Sequence, residues 1–147
     1  MKVSPLRFVA VSLLLALPLC VQAQNKPASP PTKPPASNAM TCDEALKQAP
    51  KDDTSLAPLD KTFKDSEAQL KKSPKDEKVK KTYVEAAYKY GHTVMLDQGK
   101  LRPAVQYRAA LALYRKALAV DPKHKPSLDD KKTIEDIYTS MHMSIPK

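Results

Sequence analysis

The chain has 147 residues, with 25 basic and 16 acidic side chains and a formal net charge of +9. Its two glycines cannot supply a glycine-rich phosphate loop, and its three histidines lie too far apart in sequence to form a metal-ligand motif. We therefore expect a small basic protein that is not an enzyme and that binds no metal or cofactor.

The N-terminus has the pattern of an export signal. Lys2 and Arg7 precede an apolar run over residues 8–19, and small residues near Ala23 form a cleavage-site pattern. The apolar run is shorter than the about 20 residues that a helix needs to cross a membrane. We predict a signal peptide over residues 1–23, cleavage after Ala23, and a periplasmic or secreted protein of the bacterial cell envelope.

Two alternatives would keep the chain at a membrane. The signal could remain uncleaved as an anchor, or Cys20 could carry a lipid, although Leu19 is larger than the residue expected before a lipidated cysteine. Cleavage removes two basic residues, which leaves 23 basic against 16 acidic side chains, a charge of +7. This charge favours envelope polymers, acidic lipid head groups or an acidic protein as partners, or serves solubility alone. Export of the protein argues against nucleic acid as a binding partner.

Residues 24–40 read QNKPASPPTKPPASNAM and contain five prolines. Proline lacks the backbone N–H and disfavours helix and sheet, so we predict a disordered linker that reaches about 50 Å when extended. After cleavage the chain keeps one cysteine, Cys42. A single cysteine cannot form an internal disulfide, so Cys42 could be buried, free or bridged to another chain.

The spacing of apolar residues predicts an all-α domain over residues 41–147. Thr41 is expected to cap a short helix that runs to Ala49 and ends before Pro50. A second helix is expected over about 58–72. No run of residues alternates in the way that a strand requires.

Longer helices are expected in the second half of the domain. Ser73 and Pro74 have the residue types of an N-cap and a first helical residue, which predicts a helix from there to about Asp97. Gly99 is the expected C-cap of that helix. Another helix is expected over about 103–120.

The last helix is expected to begin near Ser127. Asp130 follows three residues later, which resembles a capping arrangement, and the apolar pattern ends at about Met141. Together these assignments predict antiparallel helical hairpins with about four main helices, which follow the proline-rich linker.

The helix expected over 103–120 resembles the second helix of a tetratricopeptide repeat. Ala110, Tyr114 and Ala117 have the small, aromatic and small pattern of that helix, and Pro122 stands where the chain turns. Gly91 is the small residue expected where the first helix of such a pair crosses the second. The resemblance implies that these residues pack inside a helical hairpin.

The resemblance covers residues 80–122 and departs from the family pattern in two ways. Ala87 stands where a large aromatic is usual, and about seven additional residues separate Gly91 from Ala117, close to two helical turns. Such an insertion can lengthen the hairpin without rotating its apolar face. One hairpin cannot bury its faces alone, so the flanking helices are expected to replace missing repeats. A plain four-helix bundle would use the same apolar faces.

In tetratricopeptide proteins the first helix of each pair lines a concave groove that binds a partner. The resemblance therefore implies a candidate partner groove on the third predicted helix. Its residues are Glu85, Tyr88, His92, Met95 and Leu96. Alternatively, Tyr88 and Met95 only contact the preceding helix.

The sequence as a whole favours a small exported helical adaptor that binds another protein or a peptide. The identity of this partner and the oligomeric state of the protein stay open. The alternative is a membrane-tethered, lipoprotein-like structural bundle of the envelope that has no groove. The histidines, His92, His124 and His142, are expected to have no common role, because they are far apart in sequence.

Overall fold

The computed structural model describes residues 40–97 and 99–147, and these contain α-helices, one short 3-10 turn and no strand. The prediction of an all-α fold is confirmed. Five α-helices are present, which correspond to the short first helix and the four main helices expected. They are α1 (Cys42–Asp52), α2 (Ala57–Lys72), α3 (Glu77–Met95), α4 (Pro103–Val120) and α5 (Lys125–Ser140). The predicted signal peptide and residues 24–39 of the predicted linker lie outside the described residues.

Helix α1 begins at the predicted cap. The Thr41 side chain accepts a hydrogen bond from the backbone N–H of Glu44, and the Glu44 carboxylate accepts one from the Thr41 N–H, which forms a capping box. The expected stop before Pro50 is wrong, because the helix continues to Asp52. Ala49 is fully buried and its carbonyl accepts from the N–H of Asp53, so packing and the final turn hold the helix past the proline.

Helix α3 begins later than the sequence suggests. The predicted start at Ser73 and Pro74 is wrong, because both residues lie in the turn between α2 and α3. Asp76 is the N-cap, and its carboxylate accepts hydrogen bonds from the N–H groups of Lys78 and Val79 at 2.8 and 3.2 Å. Two backbone donors satisfied by one ionised side chain outweigh the weaker cap that a serine provides.

The predicted C-cap of α3 is also displaced. The helix ends at Met95, and Gly99 lies in the following turn with a φ of +86°. The glycine is needed there because side chains rarely adopt this left-handed conformation. Helix α4 has the predicted bounds, and Pro103 occupies its first residue.

Helix α5 starts before the predicted residue. Its N-cap is His124, and Ser127 lies fully buried in the first turn, so the predicted cap at Ser127 is wrong. The Ser127 hydroxyl lies 2.8 Å from Nδ1 of His124. Burial and this contact, rather than capping, account for a serine at that position.

Helices α3 and α4 form the centre of the domain. The Tyr114 ring lies against Gly91, while the Gln106 amide donates hydrogen bonds to the carbonyl oxygens of Met95 and Asp97. Residues later in α3 therefore contact residues earlier in α4, so the two helices are antiparallel. Half of the residues of α4 are buried, and small side chains along it let its neighbours approach closely. The buried alanines of α4 are Ala109, Ala110, Ala112 and Ala117.

The remaining helices pack on this central pair. Helix α1 contacts α4, α2 contacts α3, and α5 contacts α4 and more lightly α3. Phe63 of α2 lies between Tyr83 and Tyr90 of α3, with ring centroids 5.5 and 6.4 Å apart. Arg115 of α4 connects the segment after α5 with α1. Its guanidinium donates a 2.6 Å hydrogen bond to the Pro146 carbonyl and also contacts the buried sulfur of Cys42.

Cys42 forms no disulfide with the described residues. Over the same part of the chain, every helix is too short or too polar to cross a membrane.

Candidate functional site

Asp130 connects three helices. Its Oδ2 atom, on α5, lies 2.8 Å from Nδ1 of His92 on α3 and accepts a 3.0 Å hydrogen bond from the Tyr114 hydroxyl on α4. An ionised carboxylate only accepts, so Nδ1 of His92 carries the proton in this arrangement. The predicted capping role of Asp130 is wrong, because its carboxylate bonds to α3 and α4 and not to its own helix end.

The Tyr88 ring contacts two histidines, His92 on the same helix and His124 at the start of α5. Its ring centroid lies 5.4 Å from that of His92 and 5.4 Å from that of His124, the latter edge-on. It also lies 6.3 Å from the ring of Tyr114. His124 in turn places Nε2 at 3.8 Å from the Glu85 carboxylate. His92 and His124, which are far apart in sequence, therefore contact the same ring, an arrangement that their sequence spacing does not predict.

We call this group the α3–α5 cluster. It is built by helical spacing on α3 and by the turn that leads into α5. Glu85 lies near His124, and His92, further along α3, lies near Asp130, further along α5. The two helices therefore run parallel. The members of the cluster are Glu85, Tyr88, His92, Tyr114, His124 and Asp130.

The two phenols of the cluster are neutral, and that of Tyr114 donates its hydrogen bond to Asp130. Burial raises the pKa of Tyr114 far above its usual value, and the Asp130 carboxylate raises it further. Burial, then the charges of Asp130 and Glu85, also raise the pKa of Tyr88. Neither phenol is activated as a base or nucleophile, since both shifts favour the protonated form. No three His, Cys, Asp or Glu side chains of the described residues could together hold a metal ion.

The predicted partner groove is most exposed at its two ends. The Glu85 side chain is 58 % exposed and Leu96 is 56 % exposed. Between them, Tyr88 and His92 are partly covered by the start of α5, through His124 and Asp130. Met95 is half-buried, and its sulfur lies 3.5 Å from the Tyr114 hydroxyl oxygen. The α5 side of this surface was not part of the sequence prediction.

The residues predicted to pack a repeat-like hairpin occupy the core with one exception. Gly91, Ala110, Tyr114 and Ala117 are buried, and Pro122 is exposed in the turn after α4. A Cβ atom added at Gly91 would lie 2.8 Å from Tyr114, so this position tolerates only glycine at the observed spacing.

A cleft of about 530 Å³ opens beside the α3–α5 cluster. It lies between the first half of α3 and the end of α4 with its following turn. Glu85 and His124 belong both to the cleft and to the cluster. The walls carry both signs of charge around the apolar side chains of Val84 and Val120. The other residues that line it are Glu77, Lys80, Lys81 and Asp121.

Two other clefts are smaller. One, of about 320 Å³, lies between α1 and α2 over Leu46 and Phe63. The other, of about 280 Å³, lies beside Cys42 and Arg115 near Lys147. Neither adjoins the predicted groove, so the cleft beside the α3–α5 cluster is the candidate binding site.

Comparison with known proteins gives no relative from which a role could be transferred. No protein-family model matches the chain, and neither a curated protein nor a solved structure is significantly similar to it. The function has to be argued from the residues of the site itself.

Proposed function

We propose that this protein is a small exported tetratricopeptide-like module that binds a protein or peptide in the bacterial cell envelope. The export signal, the linker and the family resemblance are sequence-based parts of this proposal. The structural support is the cleft that adjoins the exposed end of the predicted groove at Glu85. Its mixed charges and its apolar floor suit a peptide segment better than a small cofactor, because the lining side chains project from an open surface.

The binding surface is accordingly the cleft together with the exposed part of the α3–α5 cluster. Val84 and Val120 offer apolar contact, and Lys81 and Glu85 can pair with charges of either sign. Half-buried Tyr88 provides a rigid aromatic edge next to the cleft, of the kind that often contributes strongly to binding.

Photo-crosslinking in cells tests the proposal. A photoreactive amino acid would replace Lys81 or Glu85, which are exposed and line the cleft, in the full-length chain. Lys51 on α1 and Thr139 on α5 are exposed control positions away from the cleft. We expect the same discrete adducts from both cleft positions and none from the controls. Equal labelling from all four positions, or no adduct from any, would contradict a partner in the cleft.

A double substitution tests the aromatic part of the surface. Tyr88→Ala combined with His92→Ala should weaken capture of the crosslinked partner, while circular dichroism still shows a helical chain. Lys89→Ala, at an exposed position of α3 between them, is the control and should leave capture unchanged. Unchanged capture by the double variant would exclude these two side chains from the partner groove.

One observation favours a second candidate function, a structural bundle without a groove that is tethered to the envelope membrane. The start of α5 covers part of Tyr88 and His92, which lie in the middle of the predicted groove. A tethered bundle predicts a membrane-bound chain, blocked at Cys20 or with its signal retained. The adaptor predicts a soluble chain that begins at Gln24. Fractionation followed by N-terminal sequencing distinguishes the two.

A further inference from the structure

The positive charge of the domain is concentrated at one corner. Residues 40–147 contain 21 basic and 16 acidic side chains, an excess of five. Residues 71–81, which span the end of α2, the turn and the start of α3, contain six lysines and two acidic residues, an excess of four. We call residues 71–81 the α2–α3 corner. Most of the net charge of the domain therefore lies within eleven consecutive residues.

On the rest of α2 and on α5, five lysines pair with acidic side chains one turn away, whereas Lys47, Lys51 and Lys89 are exposed and form no ion pair with a described residue. Lys61 pairs with Asp65 at 2.7 Å, and Lys64 pairs with Asp60 at 2.6 Å. The same spacing recurs on α5. The pairs there are Lys125–Asp129, Lys131–Glu135 and Lys132–Asp136, each at 2.7 Å or less. These surfaces present little net charge to a partner.

The carboxylates at the α2–α3 corner are already engaged. Asp76 accepts two backbone N–H groups as the cap of α3, and Glu77 pairs with Lys80 at 2.7 Å. Lys71 reaches back to Glu67 on α2. Four exposed lysines are left without an ion pair to any described residue. They are Lys72, Lys75, Lys78 and Lys81.

The unpaired lysines continue into the candidate binding site. Lys81 lines the cleft, and Lys78 precedes it by three residues, so the two side chains lie on the same face of α3. The corner contains no large exposed apolar side chain. Those of the described residues are Leu96, Leu128, Met141, Met143 and Ile145. A membrane-binding surface usually adds apolar side chains that enter the lipid to its basic ones.

We propose that the partner bound at the cleft carries an acidic segment that lies along the α2–α3 corner. This inference rests on the proposed function, and it names the chemistry of the partner. Unpaired ammonium groups attract a run of carboxylates, which speeds association and fixes the direction in which the partner enters the cleft. A partner with alternating charges would instead match the paired surfaces of α2 and α5.

The test compares two variants of equal net charge. The corner variant carries K72Q, K75Q, K78Q and K81Q, and the control variant carries K47Q, K51Q, K89Q and K132Q, all at exposed positions. The probe is a fluorescent peptide of alternating glutamate and alanine. At low salt, the corner variant should bind it about tenfold more weakly than the natural chain, and the control variant at most about threefold more weakly. Salt at about 1 M should abolish the difference by screening.

Equal losses in the two variants would overturn the proposal, because the peptide would then respond to net charge alone. Vesicles that contain phosphatidylglycerol provide the second arm. If the natural chain binds these vesicles but not the peptide, and only the corner variant loses vesicle binding, the corner is a lipid-binding surface and the proposal is wrong.

The two proposals fail in different ways. If crosslinking from Lys81 and Glu85 captures one partner whose affinity is the same for the corner variant, the acidic-segment inference fails and the binding function stands. If neither position yields an adduct, the binding function fails even where the acidic peptide binds.

Discussion

Gly91 of α3 lies so close to Tyr114 of α4 that a Cβ atom at position 91 would stand 2.8 Å from the Tyr114 ring. That ring is fully buried, and its hydroxyl is held by Asp130, so it cannot easily move aside. Gly91→Ala should therefore destabilise the domain, although alanine is the better helix former by about 1 kcal/mol. Overpacking of this kind costs about 1–3 kcal/mol. We expect a net loss of up to about 2 kcal/mol in urea unfolding.

Lys89→Ala is the matched control for this substitution. It places alanine on the same helix at an exposed position, and its stability should stay within about 0.5 kcal/mol of the natural chain. A Gly91→Ala variant that is as stable as the Lys89→Ala variant would mean that α3 and α4 are less closely packed than described.

Two buried tyrosines should respond in opposite ways to the loss of a hydroxyl group. The Tyr114 hydroxyl donates to Asp130, so Tyr114→Phe should lower the free energy of unfolding by about 1–3 kcal/mol. The Tyr90 hydroxyl is buried and has no hydrogen-bond partner among the described residues. Tyr90→Phe should therefore be neutral or stabilising by up to about 1 kcal/mol.

Chemical denaturation of both variants, measured side by side, checks this pair. The two substitutions remove the same atom from similarly buried rings, so their difference isolates the hydrogen bond. Equal destabilisation by both substitutions would contradict the contact between Tyr114 and Asp130.

The start of α3 provides a third prediction. Asp76→Ala removes the cap of the helix and should cost about 1 kcal/mol in unfolding measurements. Ser73→Ala, at the residue that the sequence pattern selects, should change stability by less than about 0.3 kcal/mol, because Ser73 lies in the turn. The reverse order of the two effects would place the helix start at Ser73.

The predicted helix starts, some correct and some wrong, show which parts of the fold the local sequence determines. The cap at Thr41 and the proline at position 103 gave correct helix starts, because each signal acts within one turn. Ser73 and Ser127 have the residue type of a cap but not its environment. An aspartate three residues after Ser73 makes a stronger cap, and burial removes Ser127 from that role. Such competition depends on charge and packing, which a single local pattern does not contain.

The candidate site depends more strongly on tertiary structure. Helical spacing correctly placed Tyr88 and His92 one turn apart on α3. Their partner Asp130 is 38 residues away from His92, and no local pattern joins the two. Glu85 and His124 are separated by a similar interval, and two parallel helices produce such a repeat of the interval only once they are paired. Recognising it requires knowing that α5 returns to α3.

Buried tyrosines also make the stability of the folded domain decrease at alkaline pH. Burial raises the pKa of Tyr83 to about 12, and burial likewise raises the pKa values of Tyr90, Tyr114 and Tyr138. An unfolded tyrosine has a pKa of about 10. The folded chain thus holds these protons more tightly than the unfolded chain. Stability contributed by the neutral phenols is complete below about pH 10 and declines as the pH rises further.

Urea unfolding at a series of pH values checks this prediction. The midpoint should be constant up to about pH 10 and fall between about pH 10 and 12, with tyrosinate absorbance appearing as the helices unfold. Tyr83→Phe is a useful comparison, since removing one of these phenols should make the decline less steep. If the tyrosines of the folded chain ionise near pH 10 while helicity persists, their rings are accessible to solvent and the tight packing around α3 and α4 is wrong.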